Sequence, residues 1–207
     1  MVDGIRRGRM DADEARRRVL DAAERLFYAR GIQAVGMDEV RDAAGVSLKR
    51  LYQCYASKDA LVGAYLEHRD LRWNAALADH VGRVADPRER VLAVFEFLSE
   101  WFRTADFRGC AFINAFGELG PASPPVAAAA RGHKGALRAR LRALAAEAGA
   151  ADPDLLADQL LLLTEGAIVA AAMGTADRPA ERARSAAKAL LDAATMSDQP
   201  LSARRPG

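Results

Sequence analysis

Apolar residues recur at spacings of three and four along most of this chain, and the periodic stretches are separated by glycine, proline and short polar residues. The pattern predicts an all-α protein of about nine helices. The first helix runs from about Asp13 to Arg30, with Val19, Ala22, Ala23, Leu26 and Phe27 forming one buried stripe. Asp11 and Asp13 supply capping or first-turn acids, and Gly31 is the stop. Ile32, Val35, Met37 and Val40 then close a small core around a short second helix ending at Gly45. A third short helix covers Leu48 to Tyr55, and a fourth starts near Lys58 and runs to about His80 or Val84. The fifth opens at Asp86-Pro87, with proline at a favoured first-turn position. Its apolar face carries Val91, Val94, Phe95, Leu98, Trp101 and Phe102. After the Pro121–Pro125 loop, a seventh helix spans about Val126 to Ala148, an eighth Asp154 to Met173 and a ninth Pro179 to Thr195.

The most informative stretch is Asp38 to Val62. Gly45 suits the left-handed backbone that ends one helix and redirects the chain, and Ser47 suits the N-cap of the next. Two short helices joined by such a turn make a helix-turn-helix arrangement, whose second helix enters a DNA major groove. On that helix Leu51 and Tyr55 lie four apart and share a core-facing side. Ser47, Leu48, Lys49, Arg50, Tyr52 and Gln53 point elsewhere. Their cations, phenol and amide match base edges and phosphate oxygens. Ser57 restarts a helix and leaves Lys58 for phosphate. The spacing alone fits a capped, solvated helix equally well.

The stretch resembles the DNA-binding domain of the TetR family of transcriptional regulators. The resemblance rests on Gly31, Ala44-Gly45-Val46-Ser47, Leu51-Tyr52, Tyr55 and Ser57-Lys58-Asp59-Ala60-Leu61, and covers about Asp13 to Tyr65 in order and spacing. The rest of the chain matches in helical layout and length. Three departures stand out. Gly36 occupies the cap where threonine or serine is usual, Cys54 stands where histidine is usual, and Leu48 and Arg50 replace a basic residue and a threonine. The bases read are therefore not transferable from the family.

The eighth helix is apolar on more than one face, which demands cover on both sides. Gly166, Ala167, Ala170, Ala171 and Gly174 permit close helix approach. A homodimer in which the eighth and ninth helices of two subunits form a four-helix bundle accounts for the surplus and is what the resemblance implies. Between the fifth and seventh helices, Phe107 to Glu118 gathers aromatics around Asn114 and Glu118. Phe95, Trp101, Phe102, Cys110, Phe112, Asn114, Phe116 and Glu118 form a candidate pocket for a small, largely apolar effector. A plain aromatic core with Glu118 at the surface explains the same residues. A nucleophilic Cys110 would need a base and an orienting group. No histidine is near it in sequence, so no catalytic residue is assigned, and a buried apolar thiol is the simpler account; the resemblance to the TetR family, some of whose members sense electrophiles or oxidants through a cysteine, leaves a sensing role for Cys110 open.

Composition narrows this picture in a few ways. The 207 residues are 51% hydrophobic but only 6% aromatic, an alanine- and leucine-rich balance that favours helix. A net charge of +2 makes any nucleic-acid contact a matter of local placement. No uninterrupted apolar run approaches membrane-spanning length, and no apolar segment follows the early arginines, so neither a membrane span nor a signal peptide is expected. Two cysteines, Cys54 and Cys110, suit a reducing cytoplasm. His68, His80 and His133 lack metal-site spacing, and no cofactor or metal is expected.

The expected organisation is a basic arm over residues 1–12, a helix-turn-helix domain over 13–62, a helical ligand-binding and dimerisation domain over 63–195, and a tail over 196–207. The expected function is a DNA-binding transcriptional regulator. It would be a homodimeric repressor on a palindromic double-stranded operator, released when an unidentified small-molecule effector tilts the fourth helix. A catalytic helical domain lacks a base and an oxyanion site, and a protein-only adaptor would not need the cations of the third helix.

Overall fold

The computed structural model describes residues 11–195; the expected basic arm and tail lie largely outside them. The described residues form nine α-helices and no strand: α1 Ala12–Arg30, α2 Met37–Ala44, α3 Leu48–Cys54, α4 Lys58–Gly82, α5 Pro87–Phe102, α6 Ala111–Leu119, α7 Pro124–Glu147, α8 Pro153–Met173 and α9 Pro179–Thr195. They divide into two compact units. The first holds the chain up to Arg69 together with Asn114–Ala129, and the second holds Asp70–Ile113 and the chain from Ala130 onward. The division differs from the expected break at residue 62. The next turn of α4 buries Tyr65 and Leu66, with Tyr65 edge-on to Phe27 of α1 at 5.6 Å.

In the first unit, α1, α2 and α3 pack on one another around Val19, Ala22, Ala23, Phe27, Val35, Val40 and Leu51. Asp11 caps α1, as its position suggested. Gly36 has no side chain to cap α2, and the Glu39 carboxylate instead accepts from the Gly36 N–H at 3.2 Å. That contact is half of a capping box. Arg16 of α1 does a comparable job at the far end of α3. Its guanidinium donates to the Cys54 carbonyl at 2.6 Å and sits 4.4 Å from the Tyr55 ring centroid. It thereby satisfies a helix-end carbonyl and adds a cation–π contact.

Residues 114–129 join this unit through Glu118. Its Oε2 accepts from the Gln33 backbone N–H at 2.8 Å, and its own carbonyl accepts from Gln33 Nε2 at 2.5 Å. A side chain at Gly31 would meet the Glu118 carboxylate at 3.0 Å, and Gly31 adopts a positive φ of 88°. The glycine therefore both turns the chain and makes room for this tie.

In the second unit, α5, α8 and α9 pack together. Asp86 and Asp152 cap α5 and α8, each followed by a first-turn proline. α8 buries Leu156, Ala157, Leu160, Thr164, Ala167 and Ile168. Arg138 and Arg142 of α7 pair with its Asp154 and Asp158. By length and composition α8 could cross a membrane, but only a third of its most apolar window is buried in the protein. Leu155, Leu162, Val169 and Met173 stay exposed, with Leu162 at 74%. Their spacing of seven, seven and four makes one apolar stripe.

Removing the Arg16 contacts with Arg16→Ala is expected to destabilise the first unit by about 1 kcal/mol, read as a lower urea midpoint by circular dichroism. Glu118→Ala should cost a similar amount, about 1 kcal/mol, and should speed hydrogen exchange at the Gln33 amide while leaving amides within α5 and α9 unchanged.

Candidate functional site

The turn before α3 has the geometry its sequence suggested. Gly45 takes φ 66° and ψ 36°, its N–H donates to Asp42 O, and Val46 N–H donates to Arg41 O at 3.3 Å. These bonds close the end of α2 in a Schellman-type arrangement. Ser47 Oγ then accepts from the Arg50 N–H at 3.2 Å and starts α3. Leu51 is fully buried and Tyr55 is 4% exposed, so the inner side of α3 is committed to the core. The Tyr55 hydroxyl is buried without a partner, and burial raises its pKa, partly offset by Arg16.

The other side of α3 faces outward. Ser47, Leu48, Lys49, Tyr52 and Gln53 are exposed and Arg50 is half-buried, its guanidinium 3.5 Å from Gln53 Oε1. The helix thus presents an apolar residue, a cation, a phenol and an amide on one surface, with Arg50 beside them. Ser57 Oγ accepts from the Ala60 N–H at 3.1 Å and caps the start of α4, where Lys58 is half-buried. Four other cations among the described residues of this unit are paired. Arg17 and Arg18 pair with Glu14, Arg30 with Glu39, and Arg41 with Asp38 and Asp42. The Arg30 hydrogen bond, aided by the Gly36 N–H, lowers the Glu39 pKa. In the arginine run of α1, Arg16 supports α3, and Arg17 and Arg18 meet an acid on their own helix.

The eight candidate effector residues fall into two groups. Phe95, Trp101, Phe102, Cys110 and Phe112 belong to the second unit, while Asn114, Phe116 and Glu118 belong to the first. Phe95, Cys110 and Phe112 are buried, and Trp101 and Phe102 are half-buried with rings 5.9 Å apart. Asn114 and Phe116 are exposed. Glu118 is bonded to Gln33, so its carboxylate is engaged in holding the loop after α1 rather than in orienting a ligand. Asn114 and Glu118 do share a helix, as their spacing implied, but Glu118 finds its partner 85 residues earlier in the chain.

Sequence reasoning missed a polar cluster in the second unit. His133 is 4% exposed; its Nδ1 lies 2.5 Å from Asp70 Oδ1, and its ring stacks on Phe112 at 3.9 Å. Trp73 meets His133 edge-on at 5.1 Å and also contacts Phe97 and Trp101. Lys134 places Nζ 3.3 Å from Cys110 Sγ and 2.8 Å from both oxygens of Glu165. Nothing local in the sequence marks these residues as neighbours, since 63 positions separate Asp70 from His133. Among the described residues no group of histidine, cysteine and acidic side chains is arranged to hold a metal.

Comparison with known proteins places both parts of the chain. Residues 19–65 match the model of bacterial regulatory proteins of the tetR family, and residues 87–187 match the tetracyclin repressor-like C-terminal domain. A TetR-family transcriptional regulator from Streptomyces coelicolor superposes with a TM-score of 0.82 at 32% identity, over 88% of this chain and 97% of that one. A putative TetR-type regulator from Streptomyces avermitilis gives 0.76 at 38% identity, over 87% and 97%. Among curated relatives, an uncharacterized HTH-type transcriptional regulator of Mycobacterium tuberculosis is 40% identical over 75 residues, 36% of this chain and 37% of its own. The HTH-type transcriptional activator FasR of Mycolicibacterium smegmatis is 39% identical over 94 residues, 45% of this chain and 43% of its own. The chain thus spans about two fifths of the length of these curated relatives. Capped α3 on its glycine turn, the match of the later helices to the family's C-terminal domain and the two structural relatives lead to one conclusion: the chain belongs to the TetR family of DNA-binding transcriptional regulators.

Proposed function

We propose that the protein is a ligand-responsive repressor that binds a palindromic operator as a homodimer in the cytoplasm. The observation that carries this reading is the division of α3 into two sides. Leu51 and Tyr55 fix it to the core, while Leu48, Lys49, Tyr52 and Gln53 are presented outward. A helix held in this way can insert rigidly into a major groove. Lys49 and Arg50 suit guanine or phosphate, Gln53 suits adenine, and the Tyr52 hydroxyl and Ser47 suit phosphate oxygens. Leu48 can lie against a thymine methyl. Lys58, at the start of α4, suits a flanking phosphate.

Dimer formation is supported by the exposed stripe on α8. An apolar line of Leu155, Leu162, Val169 and Met173 is costly to leave in water, and a two-fold interface can cover it with its own copy. The effector reading rests on the aromatic residues of the second unit around Trp101, Phe102, Cys110 and Phe112. An effector must bind the DNA-competent and DNA-free states unequally to act. α4 has residues in both units, so a tilt of this helix is the proposed route. The sign of regulation is proposed as repression. FasR is named an activator, so an operator–reporter fusion with and without the protein is the direct check on this part.

The primary experiment is selection of bound sequences from random duplex DNA at two salt concentrations. An inverted repeat should be recovered; unselective binding that vanishes with salt would overturn the operator assignment. On the recovered operator, Lys49→Ala and Arg50→Ala should each weaken binding by about 1–3 kcal/mol in titrations. Lys58→Ala should weaken all sequences similarly and reduce the salt slope by about 1. Leu162→Glu should shift sedimentation from dimer to monomer and weaken binding to the full repeat more than to a half-site.

A further inference from the structure

A helix that enters a groove of duplex DNA meets an electrostatic difficulty at its far end. Its last carbonyls carry partial negative charge, and the phosphates that border a groove are anionic. α3 ends at Cys54, and Tyr55 after it takes an extended backbone. The group that meets the Cys54 carbonyl comes from α1. Arg16 donates to it at 2.6 Å, and its guanidinium lies 4.4 Å from the centroid of the Tyr55 ring. Tyr55 is fixed in the core, so the ring is a firm support.

These contacts orient Arg16 without neutralising it, because neither a carbonyl nor a ring face carries a full countercharge. Arg17 and Arg18, the next two residues, share the Glu14 carboxylate, and Arg30 and Arg41 have acids of their own. Arg16 has no ion pair among the described residues, and its side chain is exposed. The carbonyl occupies one terminal nitrogen, and a guanidinium has several further N–H donors. The end of α3 therefore shows a held, uncompensated cation where a bare helix end would show negative charge. Arg25 is the useful contrast. It is also exposed and has no ion pair among the described residues, but the helical period puts it on the opposite side of α1.

We propose that Arg16 is a phosphate-binding residue of the DNA interface, contacting the DNA backbone at the C-terminal end of α3. This goes beyond the contacts assigned above, which come from α3, its cap and the start of α4, and it rests on the DNA-binding part of that reading. The Cys54 carbonyl lies between Lys49 and Lys58 along the chain, so Arg16 adds a cation between the two already given to DNA. The Cys54 thiol is a weak donor and a poor partner for phosphate; the charge arrives from α1 instead. The carbonyl and the ring restrict the guanidinium before DNA arrives, so less rotamer freedom is lost on binding. A contact to a phosphate oxygen carries no base preference. It adds affinity for every duplex and releases about one counterion for each bound copy.

The test measures binding of the full chain against salt concentration, on a selected operator and on a scrambled duplex of the same length. Arg16→Gln removes the charge and keeps an amide donor for the Cys54 carbonyl. Arg16→Lys keeps the charge, and Arg25→Gln removes one from the other side of α1. Circular dichroism checks that each variant is folded. Arg16→Gln should reduce the slope of log affinity against log salt by about 1 for each bound copy, and should weaken both duplexes by the same factor, about tenfold for each copy near 0.1 M salt. Arg16→Lys should keep the original slope, and Arg25→Gln should leave it unchanged. An unchanged slope in Arg16→Gln would overturn the proposal. So would a loss confined to the operator, which is what a purely structural support of α3 produces, a slope that Arg16→Lys fails to keep, or an equal shift from Arg25→Gln. If the unsubstituted chain selects no sequence but its slope still falls with Arg16→Gln, the operator reading fails and the phosphate contact stands.

Discussion

α3 cannot hold itself together. It has seven residues, and an isolated helix shorter than about 12–15 residues is marginal in water. Its structure is therefore imposed from outside. Leu51 and Tyr55 sink into the core of the first unit, Ser47 satisfies an N–H at its start, and Arg16 satisfies a carbonyl at its end. Burial of two such side chains contributes about 1.5–3 kcal/mol each, larger than either end contact. The inner half of the helix supplies the rigidity, which frees the outer half to be chosen for contact. Leu48 and Tyr52 are exposed apolar residues on that outer half.

The same economy of roles governs the charges. An arginine-rich first helix invites a nucleic-acid reading, yet most of its cations are matched within the unit. What distinguishes Lys49 is position on the outer side of α3, not charge as such. The chain's near-neutral balance is consistent with a protein whose affinity for DNA comes from a small, well-placed surface. In the second unit the corresponding economy is in α8, which gives one side to the core, acids to α7 and a stripe of large apolar residues to solvent.

α6 links two kinds of chemistry in nine residues. Cys110, immediately before its start, lies beside the Lys134 ammonium, and Glu118 in its last turn fastens the loop after α1. This makes Glu118 more informative as a structural tie than as a ligand-orienting group. The aromatic residues around it in sequence are then split: Phe112 supports His133, and Phe116 lies exposed.

The periodic pattern by itself determined the nine helices, and it did so because alanine-rich segments punctuated by glycine and proline leave few alternatives. It also determined the Gly45–Ser47 turn and the inward side of α3, since both depend on residues within ten positions of one another. Local hydrogen bonds and helical spacing are written in consecutive residues, so they are legible there. Only the tertiary structure decided that the first unit reaches Arg69 and takes in 114–129, that Arg16 serves α3, and that Glu118 binds Gln33. It alone brought His133 and Asp70 to a cysteine that seemed to lack a base. Each of these joins residues 38 to 85 positions apart, or depends on which helices pack side by side. The spacing of residues along one helix carries no information about which other helix will face it.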